Sequence, residues 1–347
     1  MERLQSLGSN RFVSPLQRIA LCALAFVQRH PKLVALFGFV SGVASFVLVD
    51  RQDDFARVIP VLMLVSWVWL TLENVLNRGL VRWFGLEMPP ALLRYATQLI
   101  HQESLFFVLP FFYVTTAWNS EQFVFSGLLL ASALVAILDP VYFRWLAARR
   151  WIYLAYHMLT LFAVLLVALP IIFQLATPES YKLALAAAVL LSVPSLLRTV
   201  PPSVRWRWPA LIGLTLGLGT VGWLARGSVP PATLWLTDVA VTETMSERSP
   251  GDSLATVTAA QLEANGLFAF TAIRAPRGLD ERIRHVWVHD GAIVERIALD
   301  IHGGREAGYR AWTHKRNFPP DPAGRWQVMV MTEAGQMIGM LRFRVVR

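Results

Sequence analysis

The chain has 347 residues, of which 55% are hydrophobic and only 16% are charged, a composition that excludes an ordinary two-domain soluble protein. The net charge of +9 is concentrated in residues 1–229, which carry 18 Lys and Arg against 10 Asp and Glu. Because this basic excess lies beside apolar segments, we expect a protein of the lipid bilayer with no nucleic-acid partner.

The N-terminal segment, residues 1–32, is predicted to be cytoplasmic. Its apolar run at residues 19–27 is about as long as the core of a signal peptide, but it lacks a small-residue cleavage site and runs into Arg29. We interpret residues 14–28 as an interfacial helix on the inner leaflet, with a cleaved signal as the alternative. The single cysteine, Cys22, excludes a disulfide within one chain.

Seven apolar segments follow, and each is predicted to be a transmembrane helix. Several are shorter than the ~20 residues that a straight helix needs to cross ~30 Å of hydrocarbon, so we expect their ends to extend into flanking turns. Before the third segment, residues 91–100 are predicted either to lie flat on the inner leaflet or to extend that span inward. The bundle is predicted to occupy residues 33–229, with spans at 33–49, 58–72, 104–118, 123–138, 151–173, 181–197 and 208–225.

Lys and Arg residues alternate between the two sides of the membrane in phase with these spans. The N-terminal segment and the even-numbered loops carry 14 of them, whereas the odd-numbered loops and the segment after the last span carry four. The positive-inside rule therefore predicts a multi-pass inner-membrane protein with its N-terminus in the cytoplasm. Seven crossings then place the C-terminal domain in the periplasm.

Glycines recur at four-residue spacing in two spans, where they allow helix backbones to approach closely. The pairs are Gly38 with Gly42 in the first span and Gly213 with Gly217 in the last. Each pair predicts either packing within the chain or a homodimer face, and both alternatives remain open.

Five ionisable residues lie inside or beside the spans, in the leaflet predicted to face the cytoplasm. A charge in hydrocarbon is costly unless it is paired or hydrated, so such residues often mark functional sites. Together they would form a proton relay or a carboxylate and histidine metal site; alternatively, each pairs locally or reaches the interface. They are Glu73, His101, Glu103, Asp139 and His157.

After Pro230 and Pro231 the pattern changes to short alternating runs, which are typical of β-strands. Asp290-Gly291 is a strong hairpin signal, across which we expect Trp287 to face Val294. Residues 256–264 are predicted to form a short helix. The whole region, residues 230–347, is predicted to be an immunoglobulin-like β-sandwich with strands at 233–242, 267–273, 283–289, 293–301, 307–313, 325–331 and 337–346.

Four motifs of this domain are similar to those of a known domain family. They are His285-Val-Trp287-Val-His289, Gly308-Tyr-Arg310-Ala-Trp312, Gly324-Arg-Trp326-Gln-Val328 and Gly335-Gln-Met-Ile-Gly339. In that order they resemble a bacterial C-terminal domain family of unknown function, and the whole chain more loosely resembles uncharacterised polytopic inner-membrane proteins of Gram-negative bacteria. The resemblance implies a β-rich periplasmic module and transfers no activity.

The same motifs predict a candidate ligand-binding pocket in the β-domain. Strand alternation puts His285 and Trp287 on one face of their strand, and Arg310 and Trp312 on one face of theirs. If these faces meet beside Trp326, indole rings and one guanidinium would suit an anionic or sugar-like ligand. The alternative is that the tryptophans are core residues and Arg310 closes one end of the sandwich.

No motif for catalysis is present in the sequence, which has no Gly-x-Ser-x-Gly elbow, P-loop or paired-Cys ligand set. We therefore assign no catalytic residue, metal or cofactor. The leading expectation is a membrane-anchored envelope protein whose periplasmic β-sandwich binds a protein, glycan or lipid partner. The alternative is a transporter or membrane enzyme that works through the inner-leaflet polar cluster.

Overall fold

The computed structural model describes residues 22, 25–26, 29–51, 57–70, 90–199 and 205–347. Most of the predicted interfacial helix at 14–28 and all of Glu73 therefore lie outside the described residues. Within them, a helical region precedes a β-rich domain, and helices occupy the positions of all seven predicted spans. They are α1 (Pro31–Arg51), α2 (Val58–Leu70), α3 (Pro90–Thr115), α4 (Gln122–Ile137), α5 (Arg150–Phe173), α6 (Thr177–Thr199) and α7 (Arg207–Leu224).

Two of the described helical segments, Arg150–Phe173 and Arg207–Ser228, are long and apolar enough to cross a membrane. Shorter apolar helices cover Leu33–Leu48, Val58–Leu70 and Gln122–Ile137. Helix length and composition thus support two of the seven predicted spans. For this part of the chain the structure establishes a helical region. Helix α3 runs without a break from Pro90, so residues 91–100 extend the third predicted span.

Consecutive helices from α3 to α7 alternate in direction and present one common end to the β-domain. At that docking end, Gln122 Nε2 donates to the carbonyl of Met337 at 2.9 Å, and Arg226 Nε donates to the carbonyl of Ala334 at 3.1 Å. The opposite end carries the connection between α4 and α5. We call it the basic end because Arg144, Arg149 and Arg150 lie there. Since α5 has 24 residues, the two ends are about 36 Å apart.

The outer surface of the helical region is apolar. Only 6% of the most apolar stretch of Arg207–Ser228 is buried, and side chains such as Phe37 and Leu216 are 73% and 66% exposed. In the β-domain, by contrast, the exposed large hydrophobic residues are limited to Val239, Ile293, Val294 and Val346. The core of the helical region lies between α3, α4, α5 and α6 and includes Leu105, Phe107, Phe112, Leu129, Ala163, Val164 and Ala184.

The two predicted glycine pairs have different surroundings. A Cβ atom at Gly42 would lie 2.5 Å from the backbone oxygen of Phe106, and one at Gly38 would lie 2.6 Å from Glu103 Oε1, so this pair packs α1 against α3 of the same chain. Gly213 and Gly217 have no described atom within 4 Å of the same position. A homodimer face on α7 therefore stays a prediction.

Two sheets enclose the core of the β-domain. One has the strand order β1-β5-β8 and the other β4-β10-β9-β6-β7. Residues 256–258, predicted to be helical, form a strand instead, because Thr258 caps the following helix α8 (Ala259–Asn265) by accepting from Gln261 N. The strands are β1 (Trp235–Thr242), β2 (Met245–Ser246), β3 (Ser249–Pro250), β4 (Thr256–Thr258), β5 (Leu267–Arg274), β6 (Asp280–His289), β7 (Ala292–His302), β8 (Tyr309–Lys315), β9 (Gly324–Thr332) and β10 (Met337–Val346).

The hairpin between β6 and β7 confirms the predicted turn and corrects the predicted register. Asp290 and Gly291 have φ angles of 46° and 87°, as a two-residue turn with two left-handed positions requires. However, Trp287 pairs with Glu295, and Val288 pairs with Ile293. The prediction that Trp287 faces Val294 is wrong because a β-bulge adds one residue to β7 at this point.

Candidate functional site

The predicted pocket of the β-domain is closed. His285, Trp287 and Trp326 are each 0% exposed and belong to the interior between the two sheets. The Trp326 ring stacks on Phe343 with centroids 6.0 Å apart, and the Trp287 ring meets the same residue edge-on at 6.2 Å. These three side chains therefore form no open pocket, and Trp287 and Trp326 are core residues.

His285 joins the two sheets through hydrogen bonds. Its Nε2 lies 3.1 Å from Thr271 Oγ1 on β5, and its Nδ1 lies 3.1 Å from Thr313 Oγ1 on β8. Trp287 Nε1 also donates to Thr313 Oγ1, at 3.3 Å. Burial lowers the pKa of His285 to about 4, so the ring is neutral at physiological pH. This histidine is a fully bonded core residue, with no space for a ligand beside it.

Arg310 and Trp312 lie on the opposite face of the three-stranded sheet. On β8 the inward positions are Ala311 and Thr313, so the residues between them point outward. Trp312 packs on a small apolar cluster that includes Phe270, and the guanidinium of Arg310 donates to Ser249 Oγ at 3.1 Å. The predicted faces therefore do not meet, and Arg310 does not close an end of the sandwich.

The predicted polar cluster of the helical region is divided among separate places. Asp139 Oδ1 accepts a hydrogen bond from Gln98 Nε2 at 2.7 Å, and Glu103 lies against α1 at Gly38. His101 and Glu103 are two residues apart on α3 and therefore point about 200° away from each other. The prediction of one five-residue cluster is wrong, and among the described residues no group of three His, Cys, Asp or Glu is placed to hold a metal ion.

The structure does bring His101 and His157 together. His101 Nε2 lies 3.1 Å from His157 Nδ1, and His101 Nδ1 lies 2.8 Å from the hydroxyl of Tyr142. Both ring nitrogens of His101 are thus hydrogen-bonded, and the ring is 0% exposed. Because a phenol and an imidazole each donate and accept, the sequence Tyr142, His101, His157 is a continuous path for a proton.

Aromatic side chains from α2 and α5 enclose this pair. The Trp67 ring lies 5.5 Å from His101 and 4.9 Å from His157, and its Nε1 donates to Ser104 Oγ at 2.9 Å. Tyr153 and Tyr156 pack edge-on against His101 at 6.0 Å and 5.2 Å. We call this group the His-Tyr network; its residues are Trp67, His101, Tyr142, Tyr153, Tyr156 and His157.

Tyr142 reaches the network from a π-helical turn, Val141–Leu146, between α4 and α5. Such turns widen the helix locally and are frequent at functional sites. Although the turn belongs to a connection, Tyr142 is only 2% exposed. Sequence reasoning missed this residue because a tyrosine in a predicted loop gives no sign that it enters the core. Tyr153 and Tyr156, in contrast, share one helix face with His157, and that spacing was visible in the sequence.

A cavity of about 400 Å³ adjoins the network on the side of the basic end. Tyr142 and Tyr153 form part of its wall, so the proton path from His157 through His101 ends at a residue of the cavity wall. The remaining lining comes from the first two turns of α3 and from the connection between α4 and α5, and consists of Pro90, Leu93, Arg94, Thr97, Phe143 and Ala147.

Two protein families match parts of the chain. Residues 13–269, well over half of its length, match the family of unknown function DUF5924. The chain belongs to this family. Residues 280–345 match a second family, the protein of unknown function DUF2914. Comparison with curated proteins and with solved structures returns no match for this DUF5924 member.

The border between the two family matches falls inside the β-domain. The DUF5924 match covers the helical region and ends at residue 269, within β5, whereas the DUF2914 match begins at residue 280, with β6. Neither match alone contains both sheets, because β5, which pairs with β1, also pairs with β8 from the second segment. The DUF5924 and DUF2914 segments therefore share one core, which agrees with their occurrence on the same chain.

Proposed function

We propose that this chain is a multi-span protein of the bacterial inner membrane whose helical region carries protons through the His-Tyr network. In this proposal the N-terminus and the basic end face the cytoplasm, and the β-domain faces the periplasm. The observation that carries the proposal is the hydrogen-bonded path from His157 through His101 to Tyr142, which begins in the core and ends at a cavity.

The membrane setting is supported by the surface of the helices. Exposed apolar side chains on α1, α2 and α7 would be costly in water and are stable against lipid. Helix α5 has 24 residues, or about 36 Å, and is therefore long enough to cross the ~30 Å of hydrocarbon in a bilayer. Arg144, Arg149 and Arg150 lie at the end opposite the β-domain, as the positive-inside rule requires for seven crossings.

The chemistry of the network suits proton transfer better than metal binding or covalent catalysis. Each member of the path exchanges its donor and acceptor roles without moving its heavy atoms, and the surrounding indole and phenol rings exclude bulk water. Histidine relays inside membranes are typical of pumps and transporters. The cavity gives the network access from the basic end.

The test is proton flux through the full-length protein reconstituted in liposomes that contain a pH-sensitive dye. A potassium diffusion potential drives protons across the bilayer, and the rate is compared with that of empty liposomes. We expect the wild type to exceed the empty liposomes, and H101Q and H157Q to lose at least nine-tenths of the excess.

The matched control is H302Q, because His302 is an exposed histidine of the β-domain, far from the network. This variant should keep the wild-type rate. A wild-type rate equal to that of empty liposomes, or H101Q and H157Q rates equal to that of H302Q, would show that the network does not conduct.

A second candidate is the binding of a periplasmic partner by the β-domain. It is favoured by strand β7, the edge of the five-stranded sheet, whose first five residues are all exposed. Exposed edge strands accept an additional strand from another chain. Substituting Val294, which is 40% exposed, by proline should abolish crosslinking to an envelope protein. Unchanged crosslinking would exclude this edge as the binding surface.

A further inference from the structure

We infer that the cavity beside the His-Tyr network binds a small organic anion, with a carboxylate or phosphate group at Arg94 and a short apolar body against the opposite wall. The inference rests on the proposed function, because it names the substrate class of the same site.

Arg94 is available to a ligand. Its guanidinium lies 5.1 Å above the ring of Phe143, which holds the side chain over the cavity without neutralising it. No carboxylate among the described residues forms an ion pair with Arg94. Asp139, which directly precedes the connection that supplies the other wall, is already hydrogen-bonded to Gln98. A planar guanidinium in this state binds carboxylate and phosphate groups with two parallel hydrogen bonds.

The electrostatic setting of the cavity favours an anion. Among the described residues, the lining contains no acidic side chain. It is formed by the first turns of α3, a 26-residue helix whose N-terminal end carries positive partial charge. Three further cations, Arg144, Arg149 and Arg150, lie on the connection that supplies the other wall. Together these groups attract anions toward the basic end.

The shape and polarity of the wall specify the rest of the ligand. Thr97, Tyr142 and Tyr153 are the lining residues with hydroxyl groups, while Leu93 and Phe143 contribute apolar surface. A volume of about 400 Å³ lies at the small end of the range for small-molecule sites, ~300 to 1,000 Å³. The site therefore suits a compact amphiphile that has one anionic group.

The same geometry couples the anion to the proton. Tyr142 lines the cavity and bonds to His101, so a negative charge at Arg94 lies at the end of the proton path. An anion in the cavity favours a proton on the neighbouring histidine pair, and a proton there favours the anion, since coupling between two sites is reciprocal.

The experiment measures binding of four probes to the purified full-length protein in a zwitterionic detergent by isothermal titration calorimetry. The probes are hexanoate, hexyl phosphate, hexylammonium and hexanol, which share one apolar body. We expect the two anions to bind and the cation and the alcohol not to bind. R94Q should weaken hexanoate binding at least tenfold, and R94K should weaken it less than R94Q does.

The matched control is R144Q, which removes a cation from the same connection without removing a lining residue, and it should stay within twofold of the wild type. Each variant must elute as the wild type does in size-exclusion chromatography. Equal binding of hexanol and hexanoate, or equal hexanoate affinity for R94Q and R144Q, would overturn the inference.

Two further measurements are needed. One identifies the source of the anion, and the other distinguishes failure of this inference from failure of the proposed function. If nanodiscs of phosphatidylglycerol suppress hexanoate binding and those of phosphatidylcholine do not, the natural anion is a lipid headgroup; otherwise it is a free solute. H101Q should still bind hexanoate. Binding without proton flux would refute the proposed function alone, and flux without Arg94-dependent binding would refute only this inference.

Discussion

Two buried histidine sites, one in each region of the molecule, have opposite characters. His285 of the β-domain bonds to two threonine hydroxyls and is sealed between two sheets. His101 of the helical region bonds to a phenol and to a second imidazole, and this path leads to a cavity. Both rings are 0% exposed, so burial alone does not separate a structural histidine from a functional one. The partners separate them, because only partners that can pass a proton onward make a path.

The largest effect is expected from removing the structural histidine. H285A deletes two hydrogen bonds between the sheets and leaves a cavity in a closed core, where Thr271 Oγ1 keeps the carbonyl of Ala311 and Thr313 Oγ1 keeps Trp287 Nε1 as a partner. The substitution should cost about 3 kcal/mol of unfolding free energy. Thermal unfolding of the full-length protein in detergent measures the loss. H302A, at an exposed histidine, is the control and should cost less than ~0.5 kcal/mol. A loss for H285A as small as that of H302A would contradict the structural role.

The same histidine predicts a loss of stability on the acid side. Burial lowers the pKa of His285 from 6.5 to about 4, so the unfolded chain takes up a proton in a range where the folded chain does not. The stability is therefore fully present above pH 6.5 and falls as the pH drops toward 4. Unfolding midpoints between pH 4 and 8 test this slope. The variant H285Q should flatten it, and an unchanged slope in H285Q would assign the effect to another group.

A carboxylate at the docking end predicts the opposite slope. Glu281 Oε2 accepts a hydrogen bond from Thr177 N at 2.6 Å, whereas Oε1 is buried without a partner among the described residues. Burial, with a smaller contribution from Glu179 and Glu333, raises the pKa of Glu281 from 4.5 to about 7. Docking of the β-domain is therefore strongest below pH 4.5 and weakens as the pH rises through 7.

The test of this slope is limited proteolysis at the docking end, between pH 4.5 and 8. E281Q keeps an oxygen for Thr177 N and cannot ionise, so its cleavage rate should not depend on pH and should be slower than that of the wild type at pH 8. E333Q, at a half-exposed position, should shift the slope only slightly. If E281Q and the wild type respond equally to pH, Glu281 does not control docking.

The contrast between the two sites also explains which features were predictable from the sequence. Apolar runs and alternation placed all of the described helices and most of the strands, because burial imposes a period on each element. The positions of Trp287 and Arg310 were not predictable, since the bulge at Val294 and the sheet to which β8 belongs depend on pairing between distant strands. Tyr142 was missed for the same reason, because a connection turns it into the core.

The smallest change in structure, Y142F, tests whether Tyr142 conducts protons or only supports the fold. The substitution removes one oxygen, leaves His101 Nδ1 without its partner and should cost about 1 kcal/mol of stability. If the path from the cavity to His157 runs through that hydroxyl, proton flux in liposomes should nevertheless fall as far as in H101Q. Y156F is the matched control, because the Tyr156 hydroxyl donates to the carbonyl of Ser132 and lies off the path. Equal flux in Y142F and Y156F would mean that Tyr142 only supports the fold, as Thr313 supports it around His285.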